Sequence, residues 1–499
     1  MKFLKDVVKV AILLLSITLV FEKQAAAETP SDKDISNAVD NELLYNATTP
    51  AYLIDVTTNE GIVTLSGSVN NILSKDRAVK IARTLKGVRG VVDNIKVDAP
   101  FVADNILKSN VEKALLNDPA TDSYEITVNS DNGEVTLKGR VDSWQEKQLS
   151  EFVTKGVSGV KKVDNNLIVN YRTQRPDYEI KEDIQQSLKN DVRIDDGLVN
   201  VSVKNGKVKL SGVVGSANEK SLAYFQAWSA GVNAVNDKDL KVEGWARDDN
   251  LRKNKYVTKS DDEITNAVKD AFLYDPRVFS FNPDISVRDG VVYLNGVVDN
   301  LKAKQSAEQD AKNVVGVLRV KNYLKVRPVS IPDNDDLKAK IESEILMDPV
   351  LKLWKIDVKA NNGIVYLNGA VDSYFEKTKA EDLVSKTKGV INVENNLSVY
   401  DNNDYFFYNN YGWNTYYPPY LVDVKPAYRS DEAIKENIIE ELWWSPYVNQ
   451  EEVTVVVKDG KAILSGTVDT KREKLFAEIN ALEGGAMKVE NNLKVEYTQ

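Results

Sequence analysis

The sequence predicts an α+β protein, a tandem array of six small α-β-β-α-β units, each with a three-stranded mixed sheet and two helices on one face. Three observations lead to this prediction. A phrase of glycine, alternating apolar residues and a second glycine returns six times. An apolar stripe with helical spacing precedes the phrase, and a capped helix follows it. The second glycines of the phrase are Gly67, Gly139, Gly212, Gly296, Gly369 and Gly466.

The fifth copy shows how each unit begins. Leu337, Ile341 and Ile345 recur at every fourth position, which predicts one face of an amphipathic helix. Pro349 ends this helix, because proline cannot continue the helical hydrogen-bond ladder. Prolines recur at the corresponding place in copies 2, 4 and 6, at Pro119, Pro276 and Pro446.

A hairpin and a second helix follow. Asn362-Gly363 predicts a two-residue type I′ turn, because both positions need positive φ. Ser373 and Glu376 form a capping-box pattern that opens the second helix. Gly389 ends this helix, and 390–399 gives the third strand. The second glycine of each phrase falls on the inward face of its strand, where we expect close approach of a helix or a bend.

These patterns divide the chain into ordered segments. Residues 244–259 and 401–429 are expected to be linkers, the second rich in aromatic residues. The predicted segments are 1–27 (signal peptide), 31–98 (repeat 1), 104–171 (repeat 2), 178–243 (repeat 3), 244–259, 260–327 (repeat 4), 333–400 (repeat 5), 401–429 and 430–497 (repeat 6).

The amino-acid composition argues against most kinds of catalytic chemistry. The chain has neither cysteine nor histidine, so it lacks thiolate nucleophiles, imidazole acid–base groups and the usual zinc ligands. We therefore expect no enzyme activity, no catalytic residues, no cofactor and no metal. The net charge is −10, which makes nucleic acid a poor partner.

The N-terminus predicts secretion. Lys2 and Lys5 precede the apolar stretch 11–21, and Ala25-Ala26-Ala27 offers a cleavage site before Glu28. The apolar stretch is short for a membrane span, and no cysteine follows it that could carry a lipid. We therefore expect a periplasmic protein that is not a lipoprotein.

The repeated phrase, the capped helix, a Gly-Val pair and an Asn-Asn-Leu strand (Asn395-Asn396-Leu397 in repeat 5) together resemble the BON domain, named for bacterial OsmY and nodulation proteins. Repeat 3 departs most, because it lacks the helix-ending proline. The resemblance implies an envelope protein related to osmotic stress and phospholipid interfaces, with chaperone-like activity in some members. It transfers no catalytic residue. With six copies, an extended array is the expected shape.

Two surfaces are candidate interaction sites. The linker 401–429 concentrates aromatic side chains that could pack on repeats 5 and 6 or contact a bilayer interface or a glycan. The candidate residues in this linker are Tyr405, Phe406, Phe407, Tyr408, Tyr411, Trp413, Tyr416 and Tyr417. The second surface is the outward sheet face of repeats 4 and 5, where Tyr293 and Tyr366 should be exposed for a neighbouring repeat or a partner.

Three functions therefore remain open. The first is binding of phospholipid surfaces in support of membrane integrity under osmotic or envelope stress. The second is chaperone-like or scaffolding binding of other envelope proteins. The weaker third is glycan or wall binding through 401–429. The oligomeric state is not determined by the sequence.

Overall fold

The computed structural model describes residues 30–44, 53–122, 124–171, 175–247, 259–371, 373–399, 430–469 and 471–496. These residues form six α+β units in tandem, each with a three-stranded mixed sheet and two helices on one face, which confirms the predicted fold class. No helix within these ranges is long and apolar enough to cross a membrane.

Two helices belong to each repeat, one before the hairpin and one after it. The first helices are Asp32–Leu44, Asp104–Asn117, Asp177–Asn190, Asp261–Leu273, Asn334–Met347 and Asp431–Trp444. The second helices are Ile72–Thr84, Trp144–Lys155, Ala217–Gln226, Leu301–Lys312, Tyr374–Lys386 and Lys471–Glu483.

The strands follow the same order in every repeat. The hairpin strands are Ile54–Asn59 with Ile62–Val69, Ile126–Asp131 with Glu134–Val141, Val199–Lys204 with Lys207–Val214, Asp284–Arg288 with Val291–Asn295 and Val297–Val298, Ile356–Asn361 with Ile364–Val371, and Val453–Lys458 with Lys461–Val468. The third strands are Gly90–Val97, Lys162–Val169, Ala234–Val242, Arg319–Asn322 with Lys325–Val326, Asn392–Val399, and Lys488–Asn491 with Lys494–Val495.

The second strand is central in each sheet. In repeat 5 it pairs antiparallel with 356–361 and parallel with 392–399. Its alternate residues Val365, Leu367 and Val371 are fully buried against the predicted stripe Leu337 and Ile341, which is also fully buried. The inward residues of the strand, at every second position, and those of the helix, at every fourth position, therefore pack in one core.

The turn and the cap are confirmed in repeat 5. Asn362 and Gly363 have φ of 49° and 81°, the left-handed values that a type I′ turn needs. The side chains of Ser373 and Glu376 each bond the other's backbone N–H. The capping box therefore satisfies two donors that the helix start would otherwise leave free.

The second glycine of the phrase has a different role from the expected approach of a helix. Gly139 has φ of 145°, and a Cβ there would lie 2.2 Å from the carbonyl oxygen of Glu125, just before the first strand. The same clash with a backbone carbonyl occurs at the second glycine of every repeat except repeat 4. The neighbouring strand of the hairpin, and not a helix, therefore excludes a side chain, while the expected bend is present as positive φ.

The expected extended array is wrong, because the repeats contact one another in pairs. The backbone N–H after the second helix donates to the last carbonyl of the partner's first helix. This bond joins Lys86 to Trp444 (3.0 Å) in repeats 1 and 6, and Ser158 to Met347 (2.8 Å) in repeats 2 and 5. In repeats 3 and 4, Val315 donates to Asn190 (2.8 Å). The pairs are therefore 1:6, 2:5 and 3:4.

The second helices add a head-to-tail relation. Gln145 at the start of the repeat 2 helix donates to the carbonyl of Trp228 in repeat 3 (2.7 Å). Lys155 at the end of the repeat 2 helix pairs with Asp76 in repeat 1 (3.0 Å). Ala217 of repeat 3 packs into the core of repeat 1 and closes the ring of three.

Contacts between repeats 4 and 5 are of the same head-to-tail kind, with Lys302 2.6 Å from Asp382 and Leu301 inside the repeat 5 core. Repeats 1, 2 and 3 thus form a ring, and each of them is paired with one of repeats 4, 5 and 6. The helices meet inside this assembly, and the outer faces of the sheets point to solvent.

Candidate functional site

The aromatic candidates of the linker 401–429 lie outside the described residues, as does the predicted signal peptide. Trp443 and Trp444, in the first helix of repeat 6, lie at the interface between repeats 1 and 6. Their rings pack edge to face, with centroids 4.6 Å apart.

The two outward tyrosines are half-buried within their own repeats. The ring of Tyr293 stacks on Tyr323 with centroids 6.5 Å apart, and the Lys321 ammonium lies 5.0 Å from the Tyr293 ring centroid. Tyr366 sits on its sheet between Lys359 and Glu394 on the adjacent strands. The two tyrosines therefore lie on the sheet faces of two different repeats, each beside charged residues.

A different set of apolar side chains stands out, near the end of the first helix. Five repeats expose a large apolar residue at one equivalent position, directly after the last buried residue of the helix stripe. We call these residues the helix tips: Leu44, Leu116, Leu273, Leu346 and Trp443, which are 40–68% exposed. Repeat 3 has Lys189 at this position.

Helix geometry explains why the tips point outward. In repeat 2, Leu115 belongs to the core and is 5% exposed, whereas Leu116 is 61% exposed. Successive residues of a helix are rotated by about 100°, so a residue next to the core stripe turns away from the core. In repeats 2, 4 and 5 an Asp-Pro pair follows within three residues and ends the helix there.

Pairing places the tips at the seams between repeats. Met347 and Trp444, whose carbonyls accept the bonds between repeats, directly follow the tips Leu346 and Trp443. Each seam in the 1:6 and 2:5 pairs is therefore flanked by an apolar residue from both members. In the 3:4 pair, only Leu273 is apolar.

Lysines lie beside the tips. The Lys86 ammonium of repeat 1 lies 5.0 Å from the ring centroid of Trp443, its partner's tip. The equivalent Lys388 of repeat 5 reaches the carbonyl of Leu116 (3.4 Å) and the carboxylate of Asp122 (2.7 Å). A cation beside an exposed apolar side chain is the combination that a lipid headgroup region accepts.

The 2:5 seam has further apolar surface. Phe152 is 51% exposed, and the Lys386 ammonium lies 5.6 Å from its ring centroid. Beneath it, a cleft of about 100 Å³ is lined by Val153 and Glu344, among others. Burial raises the pKa of Glu344, although Thr387 donates a hydrogen bond to its carboxylate.

Sequence reasoning missed the tips, although a signal was present. When the six first helices are aligned on their buried stripes, Leu or Trp occupies the same off-stripe position in five copies. A single exposed leucine carries no information, but recurrence at a position that the core does not need indicates a surface role.

The fold and these seams define a class: a tandem repeat of two-helix, three-strand α+β units with a positive-φ glycine near the end of the second strand. The sequence profile of the BON domain matches residues 31–99, 103–171, 176–244, 260–328, 333–401 and 430–497. Because these matches cover most of the chain, the protein belongs to the BON domain family.

Two curated relatives are similar over part of the chain. Osmotically-inducible protein Y of Escherichia coli (strain K12) is 36% identical over 121 residues, covering 23% of this chain and 60% of the relative. Outer membrane lipoprotein DolP of Haemophilus influenzae is 30% identical over 134 residues, covering 26% of this chain and 67% of the relative. The chain thus spans about two thirds or less of their lengths.

Among solved structures, CdsD, a structural protein of the type III secretion system of Chlamydia trachomatis, is 18% identical to this chain. The comparison covers 42% of this chain and 91% of that one, with a TM-score of 0.12. At this score the similarity carries no conclusion about fold or function.

Proposed function

We propose that this chain is a non-enzymatic, secreted envelope protein that binds phospholipid surfaces and supports membrane integrity under osmotic stress. The observation that carries the proposal is the recurrence of exposed apolar helix tips beside lysines at the seams of paired repeats. The similarity to an osmotically inducible protein and to an outer-membrane lipoprotein supports the envelope location.

The energetics favour a local apolar contact over broad electrostatic adhesion. The chain carries a net charge of −10, so it is repelled overall by an anionic membrane. Transfer of one leucine side chain from water to an apolar phase contributes roughly 1.5–3 kcal/mol. Two tips at one seam can therefore offset this repulsion, with Lys86 or Lys388 directed to the headgroups.

The test is flotation of the mature chain with vesicles of phosphatidylcholine, alone or mixed with phosphatidylglycerol, at low salt. We expect the protein to float with the vesicles. Leu116→Ser with Leu346→Ser, or Leu44→Ser with Trp443→Ser, should weaken binding at least tenfold, because roughly 1.4 kcal/mol corresponds to a factor of ten.

Ile168→Ser is the matched control, because Ile168 is 62% exposed on a third strand rather than at a tip. Its binding should equal that of the unaltered chain. Flotation that fails with both vesicle types would overturn the proposal, and so would equal binding by tip variants and control.

One observation favours a second function, the binding of unfolded envelope proteins. The named strands pair only within their own repeats, as in the order 356–361, 364–371 and 392–399 of repeat 5. The outer strands therefore offer edges to which an extended client could add a strand. Suppression of aggregation of an unfolded outer-membrane protein would support this function, and it should persist in the tip variants.

A further inference from the structure

A cavity of about 340 Å³ opens where repeats 2, 3 and 4 meet. Its walls come from the start of the second helix of repeat 2 and from the helix ends of repeats 3 and 4. Trp144, Phe225 and Tyr274 supply aromatic surface, while Asp191, Asp270 and Asp310 supply carboxyl groups. The volume lies at the lower end of the range for small-ligand sites.

The lining carries more negative than positive charge. Four aspartates line the cavity, and Arg193 is the one basic residue among the described lining residues. The Arg193 guanidinium is already committed to Asp191, with Nε 2.9 Å and Nη2 2.8 Å from its carboxylate oxygens. The charges of Arg193 and of Lys302 also act on Asp310, but a single arginine leaves the lining with an excess of aspartates.

Two of these aspartates have oxygens without donors. Asp270 forms no hydrogen bond or ion pair with any described residue, and burial raises its pKa together with the charge of Asp183. The Asp310 Oδ2 atom is buried and meets no donor within the described residues. The Asp310 carboxyl is hydrogen-bonded to that of Asp275, and burial together with this neighbour raises the pKa of Asp310. Asp270 is exposed to solvent, but the Asp310 Oδ2 acceptor is buried, and a buried acceptor without a donor is costly. A donor bound at Asp310 would therefore be stabilising.

The aromatic wall of the cavity indicates which kind of cation would fit there. Trp144 is 7% exposed and stacks on Trp228 with ring centroids 4.9 Å apart, so the wall is rigid. No group of three or more acidic residues in the described chain is placed to hold a metal ion. Carboxylates beside aromatic and small apolar surface, such as Ala267 and Ala271, instead match an ammonium ion with a hydrocarbon body.

We propose that this cavity binds a small organic ammonium ion. Its charged nitrogen lies between Asp270 and Asp310, and its carbon chain lies against Trp144 and Phe225. The site is assembled only when repeats 2, 3 and 4 are in contact, so binding also stabilises the closed arrangement of the repeats.

Isothermal titration calorimetry of the full mature chain with putrescine and with choline tests this site. We expect one saturable site for at least one of these cations and none for 1-butanol, a neutral molecule of similar carbon length. Asp270→Asn and Asp310→Asn should each weaken binding at least tenfold. Asp270 is exposed, so its replacement should leave the fold intact.

Asp284→Asn, an exposed aspartate on the first strand of the same repeat, is the control and should leave the affinity unchanged. Binding should also quench the fluorescence of Trp144, a change that Trp144→Phe should abolish. The absence of saturable binding of either cation up to 10 mM overturns the proposal, as does Asp270→Asn binding with unchanged affinity. Vesicle flotation by the same variants should be unaffected, so the two proposals fail separately.

Discussion

A pair of glutamates joins the first and last repeats, and its replacement tests the closed arrangement. Glu42 and Glu441 occupy equivalent positions in the first helices of repeats 1 and 6, and their carboxyl groups are hydrogen-bonded to each other. A hydrogen bond between two carboxyl groups needs one of them to hold a proton. The hydrogen bond raises the pKa of Glu441, so the second proton, on Glu42, is the first to be lost. Burial disfavours the Glu42 carboxylate, and we therefore expect the 1:6 interface to weaken as Glu42 loses its proton.

The groups around the glutamate pair determine the pH at which the interface weakens. Burial, followed by the charge of Glu483, raises the pKa of Glu42 to about 7, while Arg77 opposes the shift. Burial also raises the pKa of Glu441 and of Glu483. Arg77 lies 3.9 Å from Glu483. Glu440 and Lys80 are the other charged groups that influence the cluster.

The sign of the pH dependence follows from a raised pKa. The folded protein holds the proton more tightly than the unfolded chain, so the stabilisation is complete below the ordinary pKa of 4.5 and is lost as pH rises through about 7. The shift of Glu42 corresponds to about 3 kcal/mol. Because solvent reaches the half-buried pair, we expect roughly 1–3 kcal/mol at the interface.

Hydrogen exchange at the Lys86 amide measures the opening of this interface, because that amide donates to Trp444 of repeat 6. Glu42→Gln keeps the shape without the charge. At pH 8 we expect it to protect the Lys86 amide about tenfold more than the unaltered chain, and at pH 5 about equally. Glu112→Gln, an exposed position on the first helix of repeat 2, should change the protection at neither pH. Equal protection of the Glu42→Gln and unaltered chains at pH 8 would refute the reasoning.

Three further perturbations test the packing. Asp118→Asn leaves the Arg277 guanidinium, 10% exposed and 2.9 Å from both Asp118 oxygens, without its partner; we expect a loss of about 3–5 kcal/mol of stability by chemical denaturation. Ser158→Cys with Met347→Cys should join repeats 2 and 5 through a short bismaleimide, giving a faster-migrating band on a denaturing gel. Gly139→Ala should cost more than 1 kcal/mol in the same denaturation assay, because its new Cβ would clash with a backbone carbonyl.

Each of these three perturbations has a matched comparison. Replacing Asp118 and Arg277 together by apolar residues should recover most of the lost stability, since no unpaired charge remains. Either single cysteine variant should give no faster band. Gly296 also has positive φ, but the atom nearest to an added Cβ is 3.7 Å away. Gly296→Ala should therefore cost less stability than Gly139→Ala. An equal loss at both glycines would contradict the assigned role of the carbonyl.

The repeat unit could be predicted because its signals are local. The stripe of Leu337 and Ile341 and the turn at Asn362-Gly363 lie within one element or one hairpin, where spacing and φ preference determine the structure. The reason why position 139 requires glycine was predicted only in part. Its positive φ is a local property, but the carbonyl that excludes a side chain becomes apparent only when the hairpin register is known.

The arrangement of the repeats could not be predicted from such signals. The ion pair of Arg277 and Asp118 joins residues 159 positions apart, and neither residue has a periodic or turn preference that would indicate its partner. The helix tips needed a comparison of all six copies, because each tip taken alone is an ordinary exposed residue. The candidate site was therefore found from the pairing of the repeats rather than from a motif.

The closed arrangement of six repeats underlies the tips, the cavity and the glutamate pair, and solution scattering of the mature chain tests it most directly. A compact chain of this length has a radius of gyration of roughly 23 Å, whereas six units in a line would give roughly 40 Å. We expect a value close to the first. A value near 40 Å would contradict the account.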